Sequence, residues 1–178
     1  DAPLRERANP AYSPNPTKAP WYFMGVQELL MHFHPFFAIV VIPAMILSAA
    51  FWLPYIRLND TNYGTWFLSD KGKKAGIYSF FAGLIVTVMF ILFSEILPDP
   101  EILFPSIPSV ITTGLIPFVI VVGTFFLFLK YLERKFSINR SEYIQSVLII
   151  LIISYSVLSL AGILFRGAGM KLIWPWQL

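Results

Sequence analysis

The stretch AGIYSFFAGLIVTVMFILFSEIL, residues 75–97, carries no charged side chain until Glu95. An apolar helix of about 20 residues crosses the hydrocarbon core of a bilayer, so this stretch reads as a membrane span. Ala75, Ser79, Gly83 and Thr87 recur at every fourth position. Such a stripe of small residues lets a second helix approach closely. Three more apolar runs of similar length lie at 36–56, 110–132 and 143–165. Pro43 falls in the first and Pro117 in the third, which membrane helices tolerate where neighbours satisfy the freed carbonyls. Ser154, Ser156 and Ser159 in the last run can bond a helix backbone or a neighbour, and read as packing elements rather than a pore lining.

Composition agrees. Of 178 residues, 57% are hydrophobic and 13% charged, with a mean hydropathy of +0.69. A soluble domain carries roughly 25% charged residues, so about half the usual charge is missing. Seventeen Phe and five Trp favour contact with lipid or with a flat apolar ligand. The chain has no cysteine, which excludes disulfides, thiolate metal sites, iron–sulfur ligation and Cys-x-x-Cys-His haem attachment. His32 and His34 are the two histidines. At 3.6 residues per turn they point about 200° apart on a helix and cannot clamp one iron, so no metal site is expected. The basic residues sit in short loops, which argues against a nucleic-acid partner.

Ahead of the spans, 1–19 is Pro-rich and charged, without an apolar core for a signal peptide, and reads as an extended outer segment. Residues 20–34 follow, with Pro20 suited to a first helical turn. Leu29, Leu30 and Phe33 repeat at helical spacing, leaving Gln27, Glu28 and His32 on the remaining surface. This predicts a short interfacial amphipathic helix, stopped by His34-Pro35, with Trp21 and Tyr22 at headgroup level. The fold expected is therefore all-α and integral to the membrane, with four transmembrane helices preceded by a short interfacial helix. Residues 35–178 form the four-helix domain with a short tail.

Lys and Arg counts set the orientation. Arg57, Lys71, Lys73 and Lys74 follow the first span, and Lys130, Arg134, Lys135 and Arg140 follow the third. The loop at 98–109 has none, but does hold Asp99 and Glu101. The basic loops are expected inside, and both termini outside. Glu95 is expected to snorkel to the surface, and Arg166 to anchor at headgroups.

Asn15-Pro16-Thr17-Lys18-Ala19-Pro20-Trp21-Tyr22-Phe23, with Gln27-Glu28-Leu29-Leu30, resembles the C-terminal half of cytochrome b. That family occurs in quinol:cytochrome c oxidoreductases and, as a separate subunit IV, in related complexes. Its Pro-Glu-Trp-Tyr motif lines the positive-side quinol oxidation pocket. Phe165-Arg166-Gly167 and Trp174-Pro175-Trp176 are similar to bacterial split cytochrome b subunits. The resemblance implies a bacterial cytoplasmic-membrane subunit that handles menaquinol or ubiquinol and ligates no haem itself. It also implies three partners: a haem-bearing N-terminal cytochrome b subunit, a Rieske-type or other high-potential acceptor, and a c-type cytochrome. A further helix is expected ahead of Asp1.

In this sequence Pro20 stands where the family has its glutamate, and Ala19 where it has proline. The glutamate's proton-accepting role therefore does not carry over. Pro20, Trp21, Tyr22 and Phe23 are the candidate quinol-pocket residues. Tyr22, Glu28 and His32 are the candidate catalytic residues, because a phenol can donate or accept and Glu28 and His32 share a helix face at i, i+4. Burial is expected to raise the Glu28 pKa, and imidazole titrates near neutrality. Two other readings are open: a non-catalytic anchor, with aromatic belt residues and a solvated Glu28–His32 pair, or a transporter fragment.

Overall fold

A computed structural model describes residues 11, 17–56, 65–98, 100–174 and 176. The expectations for the first sixteen residues (Ala11 apart), Arg57, Asp99, the Glu101 side chain and Pro175 lie outside what it describes. The fold is all-α, 77% helical and without strands among the described residues. Helix α1 is Met24–Met31. Four long helices follow: α2 (Phe37–Tyr55), α3 (Asp70–Ile96), α5 (Val110–Phe136) and α6 (Arg140–Leu164), with the single turn α4 (Pro100–Leu103) between α3 and α5. Each of the four is long and apolar enough to cross a membrane, and no more than 28% of any apolar window is buried. The remaining apolar surface faces outward, as expected where lipid is the solvent.

Helices α3 and α6 form the main interface and run parallel. At one end the Ser69 backbone N–H and hydroxyl both donate to Glu142 Oε1, at 2.8 and 2.7 Å. At the other end Arg166 reaches Glu95. Between them, Ala75, Ser79, Gly83 and Thr87 are buried, so the small-residue stripe is the contact face. A Cβ on Gly83 would lie 3.1 Å from the Ile150 carbonyl oxygen, and Thr87 donates to Ser154 at 2.9 Å. Ser156 bonds the Ile152 carbonyl within its own helix.

Polar caps carry the helices past their apolar runs. Ser69 accepts from Gly72 N–H, starting α3 five residues before the expected 75. Asn139 and Glu142 make a reciprocal capping box that starts α6 at Arg140. Each satisfies N–H groups that a first helical turn leaves unpaired.

Proline acts upstream of itself. Wide π turns at Phe37–Val41 and Val110–Leu115 precede Pro43 and Pro117. In each, the N–H just before proline donates five residues back: Ile42 to Phe37, and Ile116 to Ile111. The wider turn accommodates a pyrrolidine ring that clashes with a carbonyl four residues back. The two π turns also meet, since a Cβ on Gly114 would lie 2.6 Å from the Phe37 ring, and Phe37 packs on Phe118 beyond it at 5.3 Å between ring centres.

Helix α1 is shorter than the expected 20–34. Pro20 precedes it in a turn whose carbonyl accepts from Phe23 N–H at 2.8 Å. Gln27 clasps the incoming chain, accepting from Ala19 N–H at 2.7 Å and donating to the Thr17 carbonyl at 2.9 Å. Helix α1 lies flush on α6, because Gly25 and Gly162 leave no room for a Cβ against Ser159 and Met24 respectively. His34 closes the turn after α1, its N–H donating to the Thr113 carbonyl.

Candidate functional site

The buried face of α1 is Met24, Gly25 and Glu28. Glu28 was expected on the exposed side of an amphipathic helix, and the structure reverses this: the residue is 1% exposed. The reason is its partner. Arg166, also 1% exposed, donates from Nε to both Glu28 oxygens at 3.1 and 3.0 Å, and from an NH2 nitrogen to Oε1 at 2.6 Å. Local periodicity cannot register a cation 138 residues away. A buried carboxylate needs such a partner, since burial of an unpaired charge is prohibitive.

Arg166 is held in turn. Its NH1 nitrogen donates to Glu95 and, at 2.9 Å, to the Met170 carbonyl. Arg166 therefore lies inside the protein and not among headgroups, because two carboxylates and a carbonyl replace its water. The Glu95 side chain is 32% exposed; it turns to Arg166 instead of snorkelling away. A tight hairpin after α6 sets the position. Gly167 N–H donates to the Lys171 carbonyl at 3.0 Å, and Ile173 N–H to the Phe165 carbonyl at 2.8 Å. Gly169, at φ +67, supplies the left-handed turn.

His32 completes the cluster. Its Nε2 lies 3.3 Å from Glu28 Oε1 and its Nδ1 2.7 Å from Ser94 Oγ. The edge of Phe90 covers the ring at 5.2 Å between centres. Ile91, Leu158 and Ala161, with Leu29 and Leu172 packed beside them, make an apolar floor. The pair is thus not a solvated one. Burial pushes the Glu28 carboxyl up, but hydrogen bonds from His32 and Arg166, and the charge of Arg166, outweigh it and hold the carboxyl below its ordinary value. The expected rise is overturned because the guanidinium is in contact. The same carboxylates hold the Arg166 pKa up against burial.

Tyr22 stands apart from Glu28 and His32. Trp21 and Tyr22 are 76% and 63% exposed, with Phe23 and Pro20 also exposed. Trp21 and Tyr22 meet edge to face at 5.9 Å. Tyr155 fixes this ledge by donating its hydroxyl to the Tyr22 carbonyl at 2.7 Å. The structure thus brings Glu28 and His32 together and presents the four motif residues outward, five to eight residues before Glu28. Sequence reasoning missed Ser94 and the joining of Glu95 to Arg166. The available signal was topological: with four spans, Glu28, Glu95 and Arg166 all fall at one end.

Among the described residues no group of three or more His, Asp or Glu side chains is arranged to hold a metal ion. The fold and cluster define a multi-pass, all-α membrane protein with a buried ionic centre at one end of its bundle. Compared with family models, curated proteins and solved structures, the chain matches none.

Proposed function

We propose that this chain is a subunit IV-like, non-haem membrane subunit of a bacterial cytochrome bc-type complex, contributing part of the outer-side quinol oxidation pocket. The observation that carries this reading is the exposed ledge Trp21-Tyr22-Phe23 followed, five residues after Phe23, by Glu28 of the buried Glu28–His32 pair. An aromatic ledge suits a flat quinol ring, and the Tyr22 phenol can donate to or accept from a quinol oxygen. The eight basic residues at 57–74 and 130–140, against none at 98–109, support placing this end outside the cytoplasmic membrane.

Oxidising menaquinol or ubiquinol releases two electrons and two protons. One electron goes to a Rieske-type or other high-potential acceptor that feeds a c-type cytochrome, and one to b haems on the partner cytochrome b subunit. This chain's task is to hold the ring and take a proton. Glu28, gripped through both oxygens and kept ionised, orients His32. His32 is placed to take the proton, because protonating Glu28 would forfeit its charge-assisted bonds to Arg166.

The test is steady-state quinol oxidation by the intact complex. Tyr22→Ala raises KM for quinol by about tenfold, the loss of one good polar contact. An unchanged KM, or a native preparation whose optical spectrum lacks b haem, overturns the reading. The double grip of Arg166 on Glu28 favours a second reading, a non-catalytic anchor in which the cluster only pins α1 to α3 and α6. That reading predicts unaltered turnover in every folded variant of Tyr22 and His32.

A further inference from the structure

The cluster contains one contact with no part in the function above. His32 is enclosed, its side chain 4% exposed, yet its Nδ1 meets the hydroxyl of Ser94, which lies on the exposed surface of α3. An ionised carboxylate only accepts hydrogen bonds. Nε2, beside Glu28 Oε1, therefore keeps its N–H whether or not the ring is charged. The nitrogen that gains and loses a proton is Nδ1.

Ser94 has a partner ready for either state. When Nδ1 is bare, the serine hydroxyl donates to it across 2.7 Å. When Nδ1 carries a proton, Ser94 Oγ accepts it and turns its own hydrogen to the Ile91 carbonyl, 2.8 Å away. The ring's other surroundings offer nothing comparable. Glu28 on its own helix takes Nε2, Phe90 on α3 presents a ring edge, and Glu95 and Arg166 are engaged with each other.

We propose that Ser94 is the proton gate of His32, a positioning residue through which Nδ1 exchanges its proton with water at the protein surface. In the outward step the Ser94 hydroxyl swings from the Ile91 carbonyl to a surface water; the Nδ1–H bond then breaks as an O–H bond forms at Ser94, and the former Ser94 O–H bond breaks as its proton passes to that water. The imidazolium becomes neutral and the water becomes hydronium. Rotation of the hydroxyl resets the gate. Because Nε2 keeps its N–H, a proton from quinol reaches Nδ1 through the same hydroxyl, and the gate rests on the proposed function only for that source.

The test uses the full chain in lipid nanodiscs with 15N-labelled histidine. With two histidines in the sequence, His34→Gln leaves His32 as the single imidazole signal. Neutral His32 is expected to carry its proton on Nε2, and acid to add the second on Nδ1. Ser94→Ala slows exchange of the Nδ1 proton with water by at least about tenfold, as expected for losing a positioned proton-transfer partner. Ser94→Thr, which keeps the hydroxyl, restores it. A neutral form protonated on Nδ1, or equal exchange in Ser94→Ala, overturns the gate. Quinol oxidation is read separately: a complex that does not oxidise quinol while these exchange results hold removes the proposed function and leaves the gate standing.

Discussion

Replacing Arg166 with methionine strands the Glu28 carboxylate in a buried site. Breaking a buried pair by removing one partner costs about 3–5 kcal/mol, and the neighbour left to Glu28, His32 at 3.3 Å, is a cation only when protonated. Arg166→Met is therefore expected to lower the midpoint of thermal unfolding in detergent far more than Lys73→Met, whose exposed pair with Asp70 is the surface counterpart. Glu28 also gives the protein a pH dependence of definite sign. Its folded-state pKa lies below the ordinary value of 4.5. The stabilisation is fully present above that ordinary value and is lost as pH falls through the lower folded one. Melts from about pH 3 to 7 should show this acid-side loss in the native chain and a smaller one in Glu28→Gln. Identical acid limbs would mean that other carboxylates govern acid unfolding. Glu28 was legible in the sequence as a candidate, but its environment was not, because the residue that buries it follows the last span.

At the scale of elements, the α3–α6 interface depends on absent side chains. Gly83 in α3 has the Ile150 carbonyl and the Ile153 side chain within 3.2 Å of where a Cβ would sit, whereas Gly123 in α5 has nothing within 4 Å. Adding a side chain at the two positions is therefore expected to act with opposite signs. Gly123→Ala should stabilise by about 0.5–1 kcal/mol through helix propensity. Gly83→Leu should destabilise by about 1–3 kcal/mol through overpacking. Unfolding of both variants in mixed micelles checks the contrast, and a stabilised Gly83→Leu would refute the interface. The four-residue spacing of this stripe was readable because small residues in a membrane helix have few other uses. The π turns ahead of Pro43 and Pro117 were not readable in detail. A proline announces a disturbed turn, but the neighbouring helix decides which carbonyls are left over.

For the molecule as a whole, topology is the testable quantity. A chain without cysteine suits single-cysteine labelling on oriented vesicles. Gly72 is a poor site, since any Cβ there strikes the Glu142 carboxylate. Lys74, in the second turn of α3, and Ile102, beyond its far end, are both exposed. Lys74→Cys is expected to label from the cytoplasmic side and Ile102→Cys from the outer side; the reverse pattern would put the Glu28 cluster inside and remove the outer-side pocket. By itself the sequence determined that four helices cross a membrane, where they begin and end to within a few residues, and that α3 carries a packing stripe. Hydrophobic length, capping residues and small-residue spacing are local properties, and a bilayer makes helix formation nearly obligatory. The tertiary structure alone decided that α3 and α6 run side by side, that the polar face of α1 turns inward, and that Arg166 joins Glu28 to Glu95. Those outcomes depend on which distant charges meet in a place without water, and no local pattern encodes that meeting.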